Sequence, residues 1–315
     1  MRMFLAVLFA AGLLVAAFPA RADEKKAPAK AADKDCECCK DGVLKIGAVA
    51  YAPKSVDVFR GLRYYFARSG MPIEFVLYST YDGLNEALLK GQVDLAWNSP
   101  LGHAKFHLAA GDSQAVVMRD VDRNYRVKLI VRKDANVSTL DDLAGKTMVF
   151  GSCDSADCTV LPIHFLKKEG VNFDKVKVLS LHKEVDARGI PCHSAQHVWQ
   201  ALVDGRGQAG IIGADMWKNL QTYKPEQARQ FKEIWTSPPF SHCVFTARKD
   251  FNKETAAKFT KLMLAMGGKD PVAAEILKLE HCSKWVPAGA EAQQGYGELL
   301  KALRQENALP AALRK

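Results

Sequence analysis

The groups with the most chemical capacity in this chain are its thiols and imidazoles, and many of them are neighbours. Cys153 and Cys158 stand at C-x4-C spacing, and Cys192-His193, His242-Cys243 and His281-Cys282 are adjacent pairs, with His197 nearby. Thiolate and neutral imidazole are soft to borderline donors, suited to zinc, copper(I) or a thiophilic metalloid. The same thiols can instead close disulfides, and Cys153–Cys158 or Cys192–Cys243 would staple neighbouring loops. Eight cysteines admit too many pairings for connectivity to be read from their order. A third chemistry is a cysteine nucleophile activated by an imidazole, with Cys153 beside His193 or His242. His103 and His107 at i, i+4 spacing, and His164 on an apolar helix face, read as packing residues. No Gly-x-Ser-x-Gly, Gly-x4-Gly-Lys-Ser/Thr or His-Glu-x-x-His motif occurs. The chain is therefore read as a binding protein with no cofactor rather than an enzyme.

Such groups work only if a framework brings them together, and the hydrophobic pattern supplies one. Residues 43–49 alternate as a strand, 56–69 carry helical spacing up to Gly70, and 73–78 form a second strand. A helix over 82–90 closes at Gly91, and a strand over 93–97 runs into Asn98-Ser99-Pro100. This β-α-β-α-β order predicts a mostly parallel sheet flanked by helices. Residues 125–132 form a long strand that outruns its unit, after which the pattern restarts. Helices are expected near 140–144, 159–170 and 195–204, and strands over 146–150, 176–181 and 209–213. Residues 234–247 are extended again, and the remainder is helical, most clearly over 253–267. The expected architecture is α/β with two lobes: 43–132 opens lobe 1, 133–241 is lobe 2, and 242–315 returns to lobe 1 and its C-terminal helices. Two extended hinge segments cross between them.

Ligands of open α/β sheets bind beyond the carboxyl ends of strands. Two lobes facing each other would bring 152–158, 192–197 and 242–243 near one cleft or its hinge. Tyr51 and Tyr81 fall just past strand ends, where a phenol touches ligand while its ring packs. Trp97, at the end of a buried strand, reads as core.

The N-terminus describes the compartment. Arg2 precedes an apolar run of 15 residues from Phe4 to Phe18, followed by Ala20-Arg21-Ala22, which predicts a signal peptide over 1–22 cleaved after Ala22. The run is shorter than the roughly 20 residues of a spanning helix. Residues 23–42 are rich in Ala, Lys and Asp with almost no bulky apolar side chain and read as a flexible leader. Cys36-Glu37-Cys38-Cys39 within it could recruit the same soft ions. Export implies a periplasmic location, where disulfides are permitted. The formal charge of +9 is dispersed, with no Lys/Arg block interleaved with aromatics, so nucleic acid is not an expected partner. A monomer is expected.

Three stretches in order carry a resemblance. They are Tyr81-Asp82-Gly83-Leu84-Asn85-Glu86-Ala87-Leu88 with Gly91 to Leu101 (GQVDLAWNSPL), Phe150 to Cys158 (FGSCDSADC) with Leu161-Pro162, and Gly205 to Asp215 (GRGQAGIIGAD). Together they resemble the phosphate/phosphite/phosphonate-binding family of periplasmic receptors for ABC transporters. The resemblance implies a two-lobe type II periplasmic-binding fold, a small oxyanion in the cleft, and delivery to an inner-membrane permease. Carried over position by position, it assigns Tyr81, Asn98 and Ser99 to first-lobe ligand contacts, with Tyr51 on the same wall. The loop 152–158, with Ser152, Cys153, Asp154, Ser155 and Cys158, would hold the phosphonate oxygens, and Asp215 would meet the amino group of an aminophosphonate. The sequence departs from the family where a Ser-Thr-Ser run is expected and Ser155-Ala156-Asp157 stands, since an ionised Asp157 repels a dianion unless it caps its own helix. The alternative is a receptor or sensor for arsenite, copper or zinc through Cys153, Cys158, His193, His242 or Cys243, reporting to a permease or a membrane sensor kinase. An exported cysteine-dependent enzyme is the third reading.

Overall fold

The computed structural model describes residues 43–184, 194–305, 309–310 and 313. The expected signal peptide and leader, Cys192 and His193 lie outside the described residues. Residues 43–315 form one compact unit.

The chain begins β1 (Leu44–Val49), α1 (Lys54–Arg68), β2 (Ile73–Tyr78), α2 (Tyr81–Leu89), β3 (Leu95–Asn98), α3 (Pro100–Ala110), β4 (Ser113–Ala115) and β5 (Val117–Arg119). It then crosses to β6 (Val127–Arg132), β7 (Thr147–Phe150), α4 (Leu161–Lys168), β8 (Lys177–Ser180), α5 (Ala195–Val203), β9 (Ala209–Gly213), α6 (Ala214–Tyr223), α7 (Pro225–Ala228) and β10 (Phe231–Thr236). After a second crossing come β11 (Val244–Arg248), α8 (Lys253–Leu264), α9 (Pro271–Leu279), β12 (Trp285–Pro287), α10 (Gly289–Gly295) and α11 (Gly297–Arg304). Local chemistry sets the boundaries nearest the crossings. The Thr80 hydroxyl accepts from Gly83 N–H to start α2, and Ser99 accepts from Gly102 N–H to start α3 with Pro100 in the first turn.

Two five-stranded sheets result, ordered β2-β1-β3-β11-β4 and β10-β6-β9-β7-β8. Each is mixed rather than mostly parallel. β1 runs parallel to β2 and β3, and β7 to β8 and β9, but β11 runs against β3 and β4, and β6 against β9 and β10. The exceptions have one cause: β6 and β11 enter their sheets directly from a crossing, so they start at the end where the parallel strands finish. Sheet membership also corrects the expected limit of lobe 1 at residue 132. β6 pairs with β9 and β10, so the first crossing is over by residue 127. The expected helix at 140–144 is a single 3-10 turn, Asp141–Leu143.

The apolar faces close separate cores. Ile46, Phe66, Leu95, Phe245, Phe259 and Trp285 fill one side of the first sheet; Leu129, Phe150, Ile163, Leu166 and Ile211 fill one side of the second. Trp97 is core, edge-on to Trp285 and packed on Phe245. His103 is buried, bonded to Thr246 Oγ1 at 2.9 Å and Gln293 at 3.3 Å, which makes it a packing residue rather than half of a metal pair.

The crossings pair with each other. Tyr125 and Phe240 exchange backbone hydrogen bonds of 2.8 and 3.0 Å, and His242 N–H donates to the Asp122 carbonyl at 2.9 Å. The register places this ribbon at the carboxyl ends of both sets of parallel strands, because Val244 pairs with Asn98 and Val127 with Gly213. Gly213 is needed there: a Cβ would overlap the Tyr125 hydroxyl.

Candidate functional site

The densest polar constellation sits on this ribbon. Arg119, at the end of β5, donates to both oxygens of Asp122, at 2.6 and 2.8 Å, and to Glu280 at 3.1 Å. Asp122 is 1% exposed and Glu280 2%. The Asp122 carboxylate also meets His242 Nδ1 at 2.9 Å. The His242 ring stacks on Tyr125 with centroids 4.4 Å apart, and its carbonyl accepts from Tyr296 at 2.6 Å. Burial works against charge on both partners. It is outweighed by Arg119 for Asp122, whose carboxyl is held below the usual range. For His242 it is outweighed by the adjacent Cys243 and by the Asp122 carboxylate, which hold the imidazole well above its usual value.

The other edge of His242 faces lobe 2. Its Nε2 lies 3.9 Å from Asp157 Oδ2. Asp157 stands in a π turn, Ala156–Val160, that leads into α4. Ser155 caps that turn: its Oγ accepts from Cys158 N–H at 3.0 Å and donates to Asp157 Oδ1 at 2.6 Å. The Cys158 thiol, 1% exposed, lies 3.6 Å from Asp157 Oδ2; burial and then the Asp157 charge push its pKa up. Ser152 is bonded to His182 Nδ1 at 2.9 Å and accepts from Asp154 N–H. Cys153 is buried and Asp154 is exposed.

From lobe 1, Tyr51 follows β1 and Tyr81 opens α2. Burial comes first, with Glu280 and Cys243 acting on Tyr51 and Cys243 on Tyr81, so both phenols are raised above their usual value. Tyr51 is nonetheless 47% exposed as a residue, so it is the phenol end that is desolvated. Tyr81 also hydrogen-bonds Ser99. The structure thus brings Tyr51, Tyr81 and Ser99 together beside Cys243, and Ser155 and Cys158 together at Asp157, across from His242. Asn98 is different. It is 1% exposed and its Nδ2 donates to Asn85 at 3.1 Å, so that amide is used to join α2 to the end of β3. Asp215 is exposed in the first turn of α6.

Sequence reasoning missed Arg119, Asp122, Tyr125 and Asp157 as a connected set, and left Cys243 as a secondary candidate. The available signal was Arg119 and Asp122 at i, i+3 just before a crossing, which any surface turn also shows.

Cys153, Cys158, Cys243 and Cys282 are not joined to one another, so the Cys153–Cys158 staple is not formed. Donor atoms of Asp122, His242 and Cys243 lie within 4.8 Å of one another. Arg119 already occupies both Asp122 oxygens, however, so a metal there would have to displace a bidentate guanidinium.

Residues 56–292 match the model of a family described as ABC transporter, phosphonate, periplasmic substrate-binding protein. Among curated relatives, a probable ABC transporter phosphite binding protein, PhnD1, of Prochlorococcus marinus (strain MIT 9301) is 22% identical over 279 residues, covering 84% of this chain and 90% of that one. A phosphate-import protein, PhnD, of Mycolicibacterium smegmatis is 29% identical over 206 residues, 63% of this chain and 62% of its own. In fold the chain is similar to the Prochlorococcus PhnD1 structure in complex with methylphosphonate, with TM-score 0.64, 18% identity and coverage of 84% and 98%. It is likewise similar to XAC2383 of Xanthomonas citri bound to ATP, with TM-score 0.64, 16% identity and coverage of 82% and 95%.

Proposed function

The chain belongs to the phosphonate family of periplasmic substrate-binding proteins of ABC transporters, and on that premise we propose that its cleft captures a small oxyanion of the phosphate, phosphite and phosphonate class. The observation that carries this reading is His242. It is a partly buried imidazole whose positive form is stabilised by Cys243 and Asp122, set where the two crossings meet and aimed at the lobe-2 loop of residues 152–158. A cationic donor facing that loop, with the Tyr51 and Tyr81 phenols and Ser99 on the opposite wall, suits an anion of a few oxygens. The names of the relatives, which speak of phosphite, phosphate and methylphosphonate, point the same way.

In this reading the protein works as an exported monomer, freed by cleavage after Ala22, that hands its ligand to an inner-membrane permease and catalyses nothing. Asp157 departs from the family's hydroxyl run, and His242 offsets its charge. A thermal-shift series with phosphate, phosphite, methylphosphonate and sulfate tests the reading. Stabilisation by one or more of the phosphorus oxyanions is expected; a flat response to all of them removes it.

A further inference from the structure

At Ser155 and Ala156 the lobe-2 loop presents no uncommitted hydroxyl, and Asp157 adds an acceptor. The single hydroxyl proton of Ser155 is directed to Asp157 Oδ1 at 2.6 Å, and the Ser155 oxygen already accepts from Cys158 N–H. The neighbouring position is Ala156, which has no hydroxyl. What the loop offers toward the crossing ribbon is Asp157 Oδ2, 3.9 Å from His242 Nε2. That separation is too long for a direct hydrogen bond. It matches the span of one intervening oxygen that accepts from the imidazole at about 2.8 Å and donates to the carboxylate at about 2.7 Å.

We infer that Asp157 makes this receptor selective for oxyanions that still carry a proton, the ligand's P–OH bridging His242 Nε2 and Asp157 Oδ2. This rests on the oxyanion reading above and narrows it. Hydrogen phosphite, hydrogen phosphate and hydrogen methylphosphonate supply both the acceptor and the donor. A sulfonate or sulfate supplies acceptors only, and would leave two negative oxygens facing each other across the gap. The titratable groups that face Asp157 are His242 from the second crossing, Tyr125 from the first and Cys158 on its own turn. α11 also packs near this turn, but its Glu298 is engaged by His164, Lys168 and Lys301.

Calorimetry on the whole protein with phosphite, phosphate and methylphosphonate over a range of pH, and with methanesulfonate as the proton-free probe, tests the inference. Affinity for phosphite and for methylphosphonate is expected to fall up to tenfold per pH unit above each one's second ionisation, where its last P–OH is lost, whereas phosphate, whose dianion still carries a P–OH, is expected to keep its affinity there. A fall at one common pH for all three, phosphate included, would mean that a protein group is responsible, and would overturn it. Asp157→Asn is expected to flatten the pH dependence and to admit methanesulfonate; Asp157→Ser, which restores a hydroxyl, is a second variant with the same expectation. Phosphite and methylphosphonate binding that is independent of pH in the wild type, or methanesulfonate bound as tightly as phosphite, overturns the inference and leaves the oxyanion reading intact. No binding of any of the three at any pH overturns both.

Discussion

Asp122 shows how much depends on one buried side chain. It joins three elements: β5 through Arg119, its own crossing, and the second crossing through both the backbone and the ring of His242. Removing one partner of a buried ion pair leaves the other charge desolvated, which typically costs about 3–5 kcal/mol. Asp122→Ala is therefore expected to lower unfolding free energy by that order, read from denaturant melts. Glu86→Gln is the contrasting case. Glu86 and Lys90 form a 2.5 Å pair, but their side chains are 64% and 59% exposed, and the loss should be too small to shift a denaturant melt measurably. The Asp122 contribution should also vary with pH. Its folded carboxyl is held below the unfolded value, so the stabilisation is present above pH ~4 and lost as pH falls through the folded pKa. None of this was legible in the sequence, where Asp120, Asp122 and Arg123 look like one charged surface turn. Only the pairing of two segments more than a hundred residues apart buries one of them.

At the scale of elements, the sequence is most informative where periodicity is strong and least where topology decides. β1 to β3 could be read to within two residues from their periodicity and from Gly70 and Gly91, and Thr80, Ser99 and Pro100 mark the starts of α2 and α3 chemically. β6 was assigned to the wrong lobe. Its apolar residues would suit either sheet, and only the pairing with β9 and β10 shows which. The start of α4 reads as helix in the sequence, and that it begins with a π turn was not visible there. α3 carries its own testable consequence. His103 is enclosed between Thr246 on β11 and Gln293 on α10, and burial above all lowers its pKa to about 3. A folded value below the unfolded ~6.5 means the unfolded chain binds the extra proton, so this stabilisation is complete above pH ~6.5 and lost as pH falls toward 3. The full loss is on the order of 5 kcal/mol. His103→Gln keeps a polar partner but cannot titrate, so its stability should be flatter than that of the wild type between pH 6 and 4. A slope identical to wild type would show that other groups set the acid limb.

At the scale of the whole molecule, the paired crossings determine how the lobes can move. Two separate straps could slide or twist independently, but these are tied by the Tyr125–Phe240 exchange, by His242 N–H to the Asp122 carbonyl, and by the His242 ring on Tyr125. A tied ribbon bends as one unit, so the expected motion is rotation about it, with both sets of strand ends approaching or separating. A ligand shifts that equilibrium only by its difference in affinity for the two states. One that touches both His242 on the ribbon and Asp157 on lobe 2 gains most of its contacts on closure, whereas one that touches a single wall gains little. Small-angle scattering should therefore show a smaller radius of gyration with saturating phosphite than without it. Asp157→Asn should retain binding through His242 yet contract less at equal saturation, because the lobe-2 half of the bridge is weakened. If calorimetry reported full occupancy while the wild-type profile stayed unchanged, the ribbon would be a rigid brace, and recognition would have to be completed within a cleft that is already closed.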